Sequence, residues 1–268
     1  GGRRMAEVMS FVMMIFIIAP VVAPTLGGGL LLIGNWHVIF AFLTAYGVGL
    51  LAWMTLRLPD TRPAATREPI SAGWVIGAFR EAATTRQTLG YTLATGIVFG
   101  SMMGYINSAQ QIFTDVYDTG RLFPLAFAAA AAAISVASFV NSRIVGRFGM
   151  RRVSQLALAG FLGTSLLHLA IVVTFGPAPL GFFLLLLALT FFCFGLIMPN
   201  FNALAMEPMG RIAGTASSFV GALTTGIAAL LGWYIGQQYA GTLMPLLLGF
   251  ALLGAATAIV VLISERGR

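Results

Sequence analysis

One apolar stretch of this chain, residues 88–114, carries side chains that could bind a ligand. It contains amides and hydroxyls in close succession, at Tyr105, Asn107, Ser108, Gln110 and Gln111. In an apolar environment such groups must form hydrogen bonds inside the protein or line a wet cavity. Hydrogen bonds between helices are the alternative, at less than about 1 kcal/mol each. We favour a cavity, with Tyr105, Asn107, Gln110 and Gln111 contacting an uncharged substrate.

A second apolar stretch, residues 179–206, could complete that cavity. Its candidates are Phe194, Met198 and Asn202. Aromatic and methionine side chains at helical spacing usually serve packing. In a pocket they also suit flat, lipophilic molecules, because methionine adapts its shape.

Side chains for covalent or metal chemistry are not grouped. His37, His168 and the only cysteine, Cys193, are far apart, so neither a metal site nor a disulfide framework is expected. No phosphate-binding loop occurs. The chain is therefore not expected to be an enzyme, and no cofactor is expected. For His168 we favour a hydrogen-bonded packing residue over a proton carrier.

The composition places these residues in a membrane. Of 268 residues, 59% are hydrophobic and 9% are charged, and the mean hydropathy is +0.93. A membrane span needs about 20 apolar residues. The sequence therefore predicts an all-α polytopic membrane protein with eight transmembrane helices, at 7–33, 36–56, 88–114, 122–141, 153–175, 179–206, 212–236 and 241–263.

The arginines predict the orientation. All fifteen basic residues are arginine, and all but Arg121 fall on one side of the predicted membrane. By the positive-inside rule both ends face the cytoplasm, and the net charge of +7 reflects topology rather than nucleic-acid binding. The arginines on the cytoplasmic side are Arg3, Arg4, Arg57, Arg62, Arg67, Arg80, Arg86, Arg143, Arg147, Arg151, Arg152, Arg211, Arg266 and Arg268.

Residues 57–87 are the only long connection, broken by prolines. Ser71 is expected to cap a short interfacial helix with Arg80 and Glu81 in water. Its apolar face would include Trp74, Val75, Ala78 and Phe79.

In the next span, Gly96, Gly100 and Gly104 recur every four residues and predict close helix packing. Gly232 and Gly236 have the same spacing in the seventh span.

The first predicted span contains a proline and glycine motif, Ala19-Pro20, Ala23-Pro24 and Gly27-Gly28. Prolines bend a helix and glycines allow close approach. A kinked structural helix would have the same features. The motif resembles the antiporter signature of the major facilitator superfamily, in the doubled form of its Bcr/CflA (bicyclomycin-resistance) branch of drug/proton antiporters.

Two further stretches resemble the same superfamily. Arg147, Gly149, Arg151 and Arg152 loosely match its cytoplasmic loop signature. Gly146 stands where that signature has an aspartate, so a plain positive-inside turn is the alternative. Glu207-Pro208, followed by the run 213–218, resembles the Bcr/CflA connection between the tenth and eleventh helices.

The resemblance implies a major facilitator fold fragment with helices five to twelve of twelve, lacking the first four. Residues 1–56 would be the last two helices of the N-terminal bundle, 57–87 the cytoplasmic linker, and 88–268 the C-terminal six-helix bundle. The antiporter motif would pack and gate between the bundles.

The function implied is export of drugs or other lipophilic small molecules in exchange for protons, by alternating access in the bacterial inner membrane. The proton-coupling acid would lie in the missing helices, and the complete protein would be monomeric. The alternatives are a metabolite or nutrient proton symporter of the same superfamily and, less favoured, a membrane scaffold without transport activity.

Overall fold

The computed structural model describes residues 26–57 and 71–266, and all regular structure in these ranges is helical. A helical segment, residues 26–33, leads through a tight turn into the first complete helix. The helices are α1 (His37–Arg57), α2 (Ala72–Thr84), α3 (Arg86–Gln111), α4 (Phe123–Phe148), α5 (Met150–Phe175), α6 (Leu180–Met206), α7 (Ala213–Gln237) and α8 (Met244–Glu265).

The predicted all-α membrane architecture is confirmed. Six continuous helical stretches in the described part are long and apolar enough to cross a membrane, and one of them, Leu180–Gln237, contains both α6 and α7. These two helices, of 27 and 25 residues, are each long enough for one crossing. Every predicted span from the second onwards corresponds to a helix. Most of the first, 7–33, lies outside the described residues.

The connection between α4 and α5 is shorter than the sequence predicted. Helix α4 continues to Phe148 instead of ending at residue 141, and a single residue, Gly149, separates it from α5. Gly149 has a φ of 80°, which glycine adopts without strain and which ends the helix. The arginines that suggested a loop are compatible with a helix end, where their side chains reach water.

Helix α3 lies at the centre of the bundle, in contact with α6, α7 and α8, while α4 and α5 both pack on α6. Ring pairs hold α3 against α6 along its length: Tyr91–Phe201, Phe99–Phe194 and Tyr105–Phe191, at centroid distances of 5.2, 6.3 and 4.9 Å. By contrast, helix α1 contributes no buried residue. The core described here is therefore that of α3 to α8.

The glycines of α3 form the predicted face for close packing, and α7 lies on it. A Cβ atom added at Gly96, Gly100 or Gly104 would come within 2.7–2.9 Å of the nearest side-chain atom of α7. The contacts are with Ile227, Leu231 and Ile235 respectively. On α7, Gly236 approaches Asn107 in the same way, with 2.9 Å between an added Cβ and Asn107 Cβ. This prediction is confirmed from both helices.

Helix α2 docks on the bundle by part of the face predicted for it, because Ala78 is buried and the ring of Phe79 lies 5.7 Å from that of Phe219. Its cap is as expected, because Trp74 N–H donates to Ser71 Oγ at 3.1 Å. However, Trp74 is 43% exposed, and the buried contact is made by Ala78 and Ala82 against residues 209–216. The Glu81 side chain is 41% exposed, in keeping with the expectation that it faces water, and it also pairs with Arg211 at 2.7 Å. Alanine allows the backbones to approach closely, which a tryptophan face would prevent.

Candidate functional site

The predicted cavity residues of α3 occupy its last two turns. Tyr105 is 1% exposed, with its ring stacked on Phe127 at 5.5 Å. Its hydroxyl has no hydrogen-bond partner within the described ranges. Asn107, Gln110 and Gln111 are exposed. We call these four residues the outer patch.

The predicted cavity residues of α6 lie on its second half. Phe194 is buried against Phe99, Met198 is half-buried, and Asn202 is exposed. We call these three residues, Phe194, Met198 and Asn202, the inner patch. None of the residues in either patch is charged, so both offer only hydrogen bonds and apolar contact.

The two patches do not surround one small pocket. The start of α3 is tied to the end of α6 by Gln87, whose Nε2 donates to the Leu204 carbonyl at 2.8 Å, and by Thr88, which donates to the Ala205 carbonyl at 2.9 Å. Asn202 follows Phe201, whose ring packs on Tyr91, and Gln111 is about 30 Å from Tyr91 along α3 at the usual helical rise. Gln111 and Asn202 therefore lie at opposite ends of an uncharged α3–α6 face, whereas Tyr105 is only about 9 Å along α3 from Phe99, whose ring packs on Phe194.

A buried amide pair joins α4 to α6, and the sequence analysis missed it. Asn200 Nδ2 donates to Asn141 Oδ1 at 2.6 Å and to the Leu196 carbonyl at 2.7 Å. Both asparagines are buried. The helices come close here because Gly195 has no side chain: an added Cβ would lie 2.7 Å from that of Ala137. Asn141 was predicted to be the last residue of the span 122–141, at the membrane surface, so no buried partner for Asn200 was sought.

Charged residues meet where α3, α5, α6 and α8 end on the arginine-rich side. Arg151 lies 3.7 Å from Glu207 and 3.6 Å from Glu265. Gln87 donates to Glu207 at 2.7 Å, and the Tyr91 hydroxyl donates to Glu265 at 2.8 Å. We call these five residues the basic-end network. It connects four helix ends without placing a charge inside a span.

Only one residue of the predicted loop motif enters this network. Arg151 does so although Gly146 replaces the aspartate of the superfamily signature. Arg147 lies over the Phe148 ring at 5.4 Å, Arg152 is exposed, and Gly149 forms the turn. The carboxylates that Arg151 uses come from the ends of α6 and α8.

At the opposite end, α3 continues as a π-helical turn, Ile112–Val116. The Tyr239 hydroxyl donates to Asp115 at 3.1 Å. Burial and the neighbouring Asp115 carboxylate raise the pKa of Tyr239, so it remains a donor at neutral pH.

His168 is buried with its ring 5.3 Å from that of Phe183, and its Nε2 has no partner within residues 26–57 and 71–266. The hydrogen bond expected for His168 is not made by that nitrogen.

A family model described as Major Facilitator Superfamily matches residues 1–233. The chain belongs to this superfamily. Its members are transporters rather than enzymes, so the superfamily match supports the prediction that the chain is not an enzyme.

Three proteins are similar to this chain over most of its length. An uncharacterized MFS-type transporter, YdgK of Bacillus subtilis, is 29% identical over 88% of this chain and 59% of its own. A bicyclomycin resistance protein homolog of Haemophilus influenzae is 27% identical over 97% and 64%, respectively. Multidrug resistance protein D of Escherichia coli is 28% identical over 90% and 62%. The chain thus spans about three fifths of the length of these curated relatives.

The superfamily's antiporter motif is only partly visible in the structure. Ala19, Pro20, Ala23 and Pro24 lie outside the described residues. Gly27 and Gly28 belong to the helical segment 26–33, and a Cβ added at either would meet no described atom within 4 Å. The close packing predicted for these two glycines therefore has no partner among residues 26–57 and 71–266, and it stays a prediction.

Proposed function

We propose that this chain is the larger part of a proton-coupled exporter of uncharged, lipophilic small molecules, of the Bcr/CflA type. Two of the three relatives compared above are named for drug resistance, one of them for bicyclomycin. The antiporter motif and the Glu207-Pro208 stretch resemble that branch in particular. Bicyclomycin is therefore the first compound to test.

The observation that carries the proposal is where the charges lie. Within residues 26–57 and 71–266, every Asp, Glu and Arg lies in a loop, in α2, or at or near the end of a span. A site for a charged metabolite would need an opposite charge at membrane depth, where unpaired charges are costly. The uncharged α3–α6 face instead suits a neutral ligand held by amides and aromatic rings.

Alternating access gives the two patches their roles in this proposal. The outer patch would contact the substrate when the cavity is open to the outside, and the inner patch when it is open to the cytoplasm. The side chains between the two patches are uncharged, so a lipophilic molecule could pass along them without removing a charged side chain from water. The antiporter motif would limit leakage where the N-terminal bundle meets this face.

The packing of the helices supports the proposed domain organisation. Residues 1–56 would belong to the N-terminal bundle, 57–87 to the linker and 88–268 to the C-terminal bundle. In support, α1 has no buried residue, whereas residues of α3 to α8 share one core. Both ends would face the cytoplasm of a bacterial inner membrane, because the arginines gather on that side. The proton-coupling acid would lie in the part of the longer relatives that this chain does not match.

Accumulation of bicyclomycin tests the proposal in cells. The complete reading frame is expressed in a strain whose own exporters are deleted, and intracellular drug is measured by mass spectrometry. We expect lower accumulation than in cells with empty vector, and loss of that difference with Gln111→Ala in the outer patch. Gln155→Ala on α5, an exposed glutamine away from the cavity, is the control. Equal accumulation with and without normally inserted protein would contradict bicyclomycin export.

A further inference from the structure

A groove of about 380 Å³ lies between the adjoining ends of α4 and α5, outside the proposed transport path. Its walls are Ile144 and Phe148 of α4 and Leu156 of α5, and its floor is Cys193 and Leu196 of α6. Arg152 is the only charged residue among those that line it. We call it the α4–α5 groove.

The groove opens on an apolar surface of the bundle. Leu156 is 67% exposed and Phe148 is 48% exposed. Helix α5 packs through its other faces on α6 and α8. Large apolar side chains exposed within membrane-spanning helices are the usual contacts of lipid chains. Cys193 of α6 forms part of the groove floor. Its sulfur packs against Gly160 of α5, where an added Cβ would lie 2.9 Å from the sulfur.

The mouth of the groove is cationic, and its charge is not neutralised by any carboxylate of the described residues. Arg151 is engaged with Glu207 and Glu265, but no described carboxylate pairs with Arg152 or with Arg147. Arg152 and Arg147 flank the one-residue turn at Gly149, and both are exposed. An apolar groove that ends at unpaired guanidinium groups is complementary to one kind of molecule, an amphiphile with an anionic head.

We propose that the α4–α5 groove binds an anionic phospholipid. One acyl chain lies along Ile144, Leu156 and Cys193, and the phosphate contacts Arg152, with Arg147 beside it. Moving an acyl chain from the bilayer into an apolar groove changes the free energy little, because both surroundings are apolar. The preference for one phospholipid over another therefore comes from the head group. A basic side chain near the membrane surface favours anionic lipid by about five-fold. Headgroup charge, and not chain length, therefore decides occupancy.

The chain's single cysteine reports occupancy directly, because Cys193 lines the groove floor. The full chain is reconstituted in vesicles of dioleoyl phosphatidylcholine, with or without dioleoyl phosphatidylglycerol. The rate of Cys193 modification by a small maleimide is then followed by intact mass. We expect phosphatidylglycerol to slow the reaction by about five-fold, the preference that one arginine supplies. Inorganic phosphate added to phosphatidylcholine vesicles should not slow it, because it has no chain to fill the groove.

Two arginine variants distinguish lipid binding in the groove from a general effect of surface charge on the rate of Cys193 modification. In Arg152→Gln, phosphatidylglycerol should no longer slow the modification of Cys193. In Arg266→Gln it should still do so, because Arg266 is an exposed arginine that follows α8 on the same side of the bundle but away from the groove. Circular dichroism and elution volume show that each variant is folded. Equal rates in the two lipids for the unaltered chain, or full protection in Arg152→Gln, would overturn the proposal.

Discussion

Asn200 of α6 donates a 2.6 Å hydrogen bond to Asn141 of α4, and both side chains are buried. The pair lies where Gly195 lets the two helices approach. A buried amide without a partner is costly in an apolar environment, so each asparagine stabilises the other. This bond fixes the position of α6, the helix that carries the inner patch.

Substitution of Asn200 should therefore destabilise the protein. We expect Asn200→Ala to reduce stability by about 1–2 kcal/mol, since it leaves Asn141 unpaired. The double variant with Asn141→Ala should cost less than the sum of the single changes. Thermal unfolding in detergent measures this, and Asn202→Ala, an exposed asparagine on the same helix, is the control. An equal loss in Asn202→Ala would argue against a specific role for the pair.

The glycine seam between α3 and α7 gives a second prediction. Gly100→Ala places a Cβ 2.7 Å from Leu231 Cβ, and overpacking of this kind costs about 1–3 kcal/mol. Gly163→Ala on α5 is the matched control, because its added Cβ meets no described atom within 4 Å. Because alanine has a higher helix propensity than glycine, Gly163→Ala should leave stability unchanged or slightly increased. If both variants melt at the same temperature, the helices are not held at the spacing described.

The basic-end network should contribute modestly and in a salt-dependent way. Arg151→Gln removes both ion pairs, each of them partly exposed, so we expect a loss of less than about 1 kcal/mol. The difference from the unaltered chain should shrink at about 1 M salt, where exposed pairs are screened. Arg152→Gln, next in sequence and without a carboxylate partner among the described residues, should not change stability at either salt concentration. A salt-independent loss in Arg151→Gln would point to packing instead of charge.

Docking of α2 is tested by protease accessibility. Ala82 is fully buried against the bundle, so Ala82→Leu should displace α2 and speed trypsin cleavage after Arg80. Gly77→Leu on the same helix is the control, since a Cβ there meets no described atom within 4 Å. Unchanged cleavage of a well-folded Ala82→Leu protein would mean that α2 does not depend on this contact.

Features that depend on local spacing could be predicted from the sequence. The recurrence of Gly96, Gly100 and Gly104 indicated the packing face, and Ser71 three residues before Trp74 indicated the cap. These follow from helical geometry within one segment. The partner helix α7 could not be derived in this way, because it lies more than a hundred residues further along the chain.

Features that depend on the register between helices could not be predicted. The fourth span was predicted to end at Asn141 because arginines follow it, although α4 continues past Arg143 and Arg147 to Phe148. The outer and inner patches were grouped by residue type, but the antiparallel register of α3 and α6 separates Gln111 from Asn202. Ala82 was missed on α2 because alanine carries little hydrophobic signal, while its small size is what allows docking.

Drug-triggered proton movement tests the central proposal most directly. Everted membrane vesicles with an acidified interior are monitored with a pH-sensitive dye while bicyclomycin and a panel of lipophilic antibiotics are added. We predict that the complete reading frame releases protons when drug is added, and that residues 1–268 alone do not. Release by residues 1–268 alone would contradict a coupling acid outside them and direct attention to His168. No release by the complete protein, present and correctly inserted, would contradict drug/proton antiport and favour a metabolite symporter.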